Sequence, residues 1–303
     1  MANSPKEANA PMSNLSQRII FGVLGAALLL GSVWFSVWTF ALLFAVVQAR
    51  MLLEFYRMMR QAGYKPAAGL GVGISLLLFA SVAALTDFRT LANATVPLAV
   101  SDLGYLRNSA LGLTALLPVL LILREMYSWP RAEQRFAPFS NVGVALLGLL
   151  YVSLPMSLLT VVAFSGPGGY DYRRVFALLF MVWASDIGAY AAGKTMGKHK
   201  LAPKISPGKT WEGAVGGFLF TLLVGAALGW LLPELSLTYR LVVAGVVALF
   251  GPLGDLAESM LKRSVGVKDS GRIMPGHGGL LDRFDAFLFI LPVLAVLQLV
   301  FGS

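Results

Sequence analysis

The chain has 303 residues, of which 57% are hydrophobic and only 13% charged, and its mean hydropathy is +0.74. A soluble globular domain carries about 25% charged residues, so this composition excludes one and points to an all-α, polytopic transmembrane protein, whose helices satisfy their own backbone groups in lipid. The net charge of +9 then reads as positive-inside loops facing anionic membrane lipid rather than a nucleic-acid partner, and zero cysteines exclude disulfides and thiolate chemistry.

Residues 1–17, MANSPKEANAPMSNLSQ, are small and polar and read as a disordered cytoplasmic leader without a signal-cleavage site. About nine apolar segments follow, at 18–32, 34–49, 67–86, 108–123, 139–164, 175–193, 211–232, 239–261 and 281–301. Residues 19–48 carry no charge. As one helix they would extend about 45 Å against a hydrocarbon core of roughly 30 Å. A break near Gly31-Ser32 is therefore expected, with a single strongly tilted helix as the alternative.

If all nine segments cross with the N-terminus cytoplasmic, 19 of the 24 Lys and Arg residues fall on the cytoplasmic side. Arg89, Arg107, Arg173, Arg174 and Arg240 fall on the other, a bias that supports an N-in, C-out topology. Segments within 18–164 hold little buried polar chemistry and read as a transmembrane scaffold, with Arg50, Glu54 and Arg57 as interfacial helix pairs. Residues 165–303 read as the catalytic transmembrane domain, because acids appear there inside or at the edges of apolar helices.

Three clusters carry that chemistry. In residues 185–213, Asp186 and Tyr190 share a helical face ahead of a loop with five lysines, His199, prolines and glycines, which ends in Thr210-Trp211-Glu212. In residues 251–259, Asp255 and Glu258 stand at i, i+3, as do Asp282 and Asp285 in the third cluster, residues 259–287. Taken singly, each has an ordinary reading: a buried acid pairs with a lysine or caps a helix, and lysines beside spans anchor topology. Together they are harder to dismiss, because both basic loops lie on one predicted face at the ends of the acid-bearing helices. Ionisable residues inside membrane spans are costly and mark functional sites. Carboxylates without thiols and with only two histidines in the chain favour a hard cation such as Mg²⁺. Lysines and glycine-rich backbone beside them suit a polyphosphate. The residues leave two classes open: an enzyme handling a nucleotide or pyrophosphate at the membrane face, or a cation-coupled transporter. A transporter would show paired repeats or interrupted helices in both halves, and neither is seen.

The stretch 259–287 resembles the signature of the phosphatidate cytidylyltransferases, bacterial type. It carries Ser259, Lys262-Arg263, Lys268-Asp269, Gly271, Pro275, His277-Gly278-Gly279, Asp282-Arg283 and Asp285 at intact spacing. Ser185-Asp186, Tyr190, Ile205-Ser206-Pro207, Lys209 to Gly213, Gly254-Asp255 and Glu258 are also similar to that family, so the resemblance is specific over residues 183–287. Met274 and Gly208 depart from it, the latter where a second lysine is common. The resemblance implies transfer of the cytidylyl group of CTP to phosphatidate with Mg²⁺, a second cation being left open. A CTP-dependent lipid-alcohol kinase remains the nearest alternative chemistry. It implies Asp255, Asp282 and Asp186 as metal ligands, and a catalytic set of Asp282, Asp285, Lys268, Arg283 and His277. It further implies that Lys209, Thr210, Lys262, Arg263, Ser206, Gly278 and Gly279 bind substrate. The site would lie at the cytoplasmic face of the cell's inner (plasma) membrane. Spans rich in glycine and alanine allow a homodimer.

Overall fold

A computed structural model of the chain describes residues 14–95, 112, 116–129, 136–271 and 278–301. Helix α1 (Asn14–Phe35) begins inside the expected leader, so residues 14–17 are helical; residues 1–13 lie outside the described residues. It is followed by α2 (Val37–Gln61), α3 (Ala68–Thr95), α4 (Leu117–Ser128) and a composite helix α5 over Pro138–Ala163. The C-terminal half holds α6 (Tyr172–Met196), strands β1 (Lys200–Ala202) and β2 (Ser206–Thr210), α7 (Trp211–Ala227, with a short 3₁₀ turn to Trp230), α8 (Leu237–Ser264) and α9 (Leu281–Phe301). Six of these, α2 and α5 to α9, are long and apolar enough to cross a membrane, and Phe21–Phe35 and Ala68–Ala84 are shorter apolar helices. The chain is thus a polytopic helical membrane protein. Much of the predicted fourth segment, 108–123, lies outside the described residues.

The first break falls at Ser36, not at Gly31-Ser32. Ser36 is extended (φ −165°, ψ 163°), its hydroxyl accepts from Thr39 N at 3.2 Å, and Thr39 Oγ1 accepts from Ser36 N at 3.1 Å. This reciprocal capping box starts a new helix, whereas Gly31 offers nothing that would stop the old one. In α5, Pro155 has no N–H to give the preceding turn, and the chain widens into a π-helical turn over Leu149–Ser153 just before it.

Two features place the site. First, α2 is a central post: Phe40, Phe44, Met51, Leu52, Phe55 and Tyr56 are each 1% exposed or less. Phe44 meets Phe284 of α9 edge-on, with centroids 6.1 Å apart, so one apolar core runs through both halves of the chain. Gln48 extends this with a polar seam, donating to Ser75 O at 2.8 Å and accepting from Ser157 Oγ at 3.1 Å. Second, α6 and α7 form an antiparallel pair in backbone contact. A Cβ at Gly188 would sit 2.9 Å from Gly216 O, at Gly213 2.9 Å from Ala189 O, and at Gly217 2.8 Å from Ser185 O. Small residues let helices approach this closely in lipid.

The lysine-bearing loop between α6 and α7 is not open coil. It is an antiparallel hairpin with Lys200 opposite Thr210 and Ala202 opposite Ser206. It is fastened by Trp211 N donating to His199 O (2.9 Å) and by His199 Nδ1 against Glu212 Oε1 (2.6 Å).

Candidate functional site

A cavity of about 840 Å³ opens between α1, α2, α6, β2, α7, α8 and α9. Its polar wall carries Asp186 of α6, Lys209 of β2, Asp255 of α8, and Asp282, Arg283 and Asp285 of α9. Its lining on α1 and α2 is apolar, built from Phe21, Gly25, Leu28 and Leu29 of α1 with Leu43 of α2.

Local sequence explains the convergence. Thr210 ends β2 as the N-cap of α7, its hydroxyl accepting from Gly213 N at 3.1 Å, which turns the preceding residue, Lys209, towards α8. There Lys209 Nζ lies 2.7 Å from Asp255 Oδ2 and donates to Pro252 O at 3.3 Å. Asp255 also accepts from Ser259 Oγ at 3.2 Å. Gly254 brings α8 against α9, because a Cβ there would lie 2.5 Å from Asp285 O. The carboxylates of Asp186, Asp255 and Asp285 and the ammonium of Lys209 stand within electrostatic reach of one another, and Arg283 acts on Asp186. Three acids against Lys209, itself paired, and Arg283 leave this wall with repulsion that a cation would relieve.

That donor set is all oxygen, and among the described residues no imidazole stands beside it, as suits a hard divalent cation. Among the described residues, no three His, Cys, Asp or Glu side chains are already gathered as a ligand cage. Mg²⁺ keeps several waters and takes one or two protein carboxylates beside substrate phosphates, so the residues present fit it.

Asp282 is differently employed from Asp186 and Asp255, with which the signature grouped it. Its Oδ1 accepts from Lys262 Nζ at 2.7 Å, and its Oδ2 from Gly279 N at 2.7 Å and Ser270 N at 3.0 Å, with Ser270 Oγ 2.9 Å away. Both oxygens are occupied by the chain itself. Asp285, rather than Asp282, stands with Asp186 and Asp255. Lys262 is nine-tenths buried and pairs at once with Asp282 and with Glu258, whose side chain is wholly buried. A buried ammonium between two carboxylates holds α8 to the start of α9.

The other expected residues divide. Lys268 and Arg263 are exposed, and Arg263 Nη1 donates to Val267 O at 3.1 Å, bracing the turn after α8. Ser206 opens β2. Gly278 has φ +78°, and a Cβ on it would meet Asp282 Oδ2 at 2.6 Å, while the N–H of Gly279 goes to Asp282. His277 lies outside the described residues.

One residue read as an interfacial pair has another place. Glu54 of α2 is 1% exposed, and among the described residues no ion pair joins it to Arg50 or Arg57. Its carboxylate accepts from Leu281 N at 2.9 Å, Leu280 N at 3.1 Å and Ser270 Oγ at 3.1 Å. A lone acid inside an apolar helix was the available signal, the same one that marks Asp186. Tyr151, on the π turn of α5, is a second addition: its buried hydroxyl has no hydrogen-bond partner among the described residues, and the charges of Glu258 and Asp285 act on it.

The sequence model of the cytidylyltransferase family matches residues 16–301. The chain belongs to that family. It is accordingly a nucleotidyltransferase, as the signature in 259–287 implied. Among its relatives, a phosphatidate cytidylyltransferase of Staphylococcus aureus (strain COL) is 38% identical over 243 residues, covering 74% of this chain and 90% of the relative. The phosphatidate cytidylyltransferase of Staphylococcus saprophyticus is 36% identical over 246 residues, with the same coverage. That of Staphylococcus epidermidis (strain ATCC 12228) is likewise 36% identical over 246 residues.

Proposed function

We propose that this cytidylyltransferase moves the cytidylyl group of CTP onto phosphatidate, giving CDP-diacylglycerol and pyrophosphate. The observation that carries the reading is a single cavity with two unlike walls: an acid and lysine cluster on α6, β2, α8 and α9, and an apolar face on α1 and α2. A diacyl phosphate needs both, with its chains against the apolar wall and its phosphate at the charged one. The names of the relatives point to the same pair of substrates.

In the reaction, an oxygen of the lipid phosphate forms a bond to the α-phosphorus of CTP, and the bond from that phosphorus to the pyrophosphate oxygen breaks. The attacking oxygen is already anionic, so no general base and no covalent intermediate are needed. Catalysis reduces to alignment of two anions and compensation of their repulsion. Asp186, Asp255 and Asp285 would hold Mg²⁺, which when bound supplies positive charge for the triphosphate. Lys209 and Arg283 supply further positive charge at the cavity wall, and Lys268 is assigned to phosphate on the resemblance alone. Asp282 and Lys262 keep the first turn of α9 fixed, so that Asp285 and Arg283 are presented from a rigid helix end. His277 is assigned to the phosphate-facing turn on the resemblance alone.

The proposed topology has nine crossings, N-in and C-out, with the site at the cytoplasmic face of the plasma membrane, on the side that receives 19 of the 24 basic residues. The deciding experiment incubates the purified protein with labelled CTP, phosphatidate and Mg²⁺. Label passing into the organic phase as a CDP-lipid is the expected result. CDP with a phosphorylated lipid alcohol would instead mark a kinase, and ion flux in liposomes without CTP dependence a transporter.

A further inference from the structure

Glu54 belongs to the half of the chain that the sequence marks as scaffold, yet every hydrogen bond of its carboxylate goes to the signature segment. Two come from the first free amides of α9, Leu280 N and Leu281 N, and one from Ser270 Oγ. Ser270 in turn gives its amide to Asp282, and its hydroxyl lies 2.9 Å from Asp282 Oδ2, so one side chain bridges the two acids. The glycines around this knot are shaped by Glu54. A Cβ on Gly271 would lie 2.6 Å from Glu54 Oε1, and a Cβ on Gly279 would overlap Glu54 Oε2 and Ser270 Oγ. Unpaired amides at a buried helix start are costly, and a carboxylate there is favoured by the helix dipole.

We infer that Glu54 is a positioning residue for the transfer reaction: through Ser270 and the first turn of α9 it sets the direction of the Asp282 carboxylate and the place of Asp285 and Arg283 one turn on. The assignment rests on the reading of α9 as part of the transfer site. It makes α2 part of the active-site architecture, and it gives Gly271 and Gly279 a second requirement besides any approach of phosphate.

The test compares the full-length wild type with Glu54→Gln and Ser270→Ala. In Glu54→Gln an amide NH₂ faces the α9 amides, so donor meets donor. Ser270→Ala removes only the bridge and leaves Glu54 its two backbone donors. Two readouts are taken, CDP-lipid formation and hydrogen exchange at the amides of Ser270, Gly279, Leu280 and Leu281. We expect Glu54→Gln to lower kcat about 30-fold, or about 2 kcal/mol at 1.36 kcal/mol per tenfold, with KM for CTP and phosphatidate within threefold of wild type. Exchange at the four amides should rise at least tenfold while that of α6 and α7 is unchanged. Ser270→Ala should fall between, and the double variant should be no worse than Glu54→Gln, since both act through one link. Unchanged exchange at these amides overturns the assignment whether or not the wild type makes a CDP-lipid. So does a kcat within threefold of wild type, or additive losses in the double variant. A wild type that forms no CDP-lipid but shows the exchange effect removes the proposed reaction and leaves the positioning role.

Discussion

Replacing Lys262 with methionine is the sharpest probe of how the two acids near the start of α9 are kept. Lys262 is nine-tenths buried, and its Nζ pairs with Asp282 at 2.7 Å and with Glu258, whose side chain is 0% exposed. Removing one partner of a buried ionic group costs about 3–5 kcal/mol, because the remaining charge is left uncompensated. Asp282 would keep the amides of Ser270 and Gly279, whereas Glu258 would keep, among the described residues, only the Asp282 carboxyl beside it, so two acids would face each other in a buried place. The loss therefore arises where Glu258 and Asp282 meet without the ammonium between them. At about 2.1 cal/mol/K of unfolding entropy per residue, a 303-residue chain shifts its melting temperature by roughly 1.6 °C per kcal/mol, so Lys262→Met should melt about 5–8 °C below wild type. Adding Glu258→Gln removes the stranded charge, and the double variant should recover at least half of that fall. The assay is a tryptophan-fluorescence melt in one detergent at one protein concentration. A single variant within about 2 °C of wild type, or a double variant no more stable than the single one, would refute the account of the triad.

Two further outcomes follow from the cavity. Gly254→Val forces a side chain towards Asp285 O, 2.5 Å from where its Cβ would stand; overpacking of this kind costs about 1–3 kcal/mol, and the melt should fall by a few degrees while turnover drops by more than tenfold. Lys209→Met leaves Asp255 without its 2.7 Å partner at the cavity; CTP turnover should fall at least tenfold, and a titration with Mg²⁺ should reveal a changed metal requirement, whereas an unchanged Mg²⁺ profile would separate Asp255 from the metal.

Much of the helical plan could be read from the amino acids alone, because long apolar runs declare themselves by length. The boundary at Ser36 could not, since it depends on a hydroxyl pair closing a capping box, and glycine at 31 is a weaker signal that helices in lipid tolerate. Asp186, Asp255 and Asp285 were visible as acids on predicted helix faces, and the structure brings them to one cavity. That Asp282 is tied back to its own chain was not visible: an i, i+3 spacing puts two acids on one face, but a helix start has amides to satisfy, and Asp282 turns back to take that of Gly279. Glu54 was passed over because basic residues stand four before and three after it, the arrangement of an exposed pair. Burial decided otherwise, and burial of α2 is a property of how the segments pack around it, not of its own sequence. The hairpin over 200–210 escaped for a similar reason: with proline and lysine in its strands it has little β character, and it forms because α6 and α7 bring its ends together.

The contact between α6 and α7 has a mechanical meaning as well. Where backbone rests on backbone there is no rotamer to adjust and no side chain to yield, so the two helices behave as a single stiff plate under thermal motion. Asp186 rides on one leaf of that plate and Lys209 enters the other through Thr210, and the separation between them is fixed much as two holes in one sheet of metal are fixed. Any accommodation of a bulky lipid must then come from the side facing α1, whose cavity wall is made of side chains that can change their rotamers.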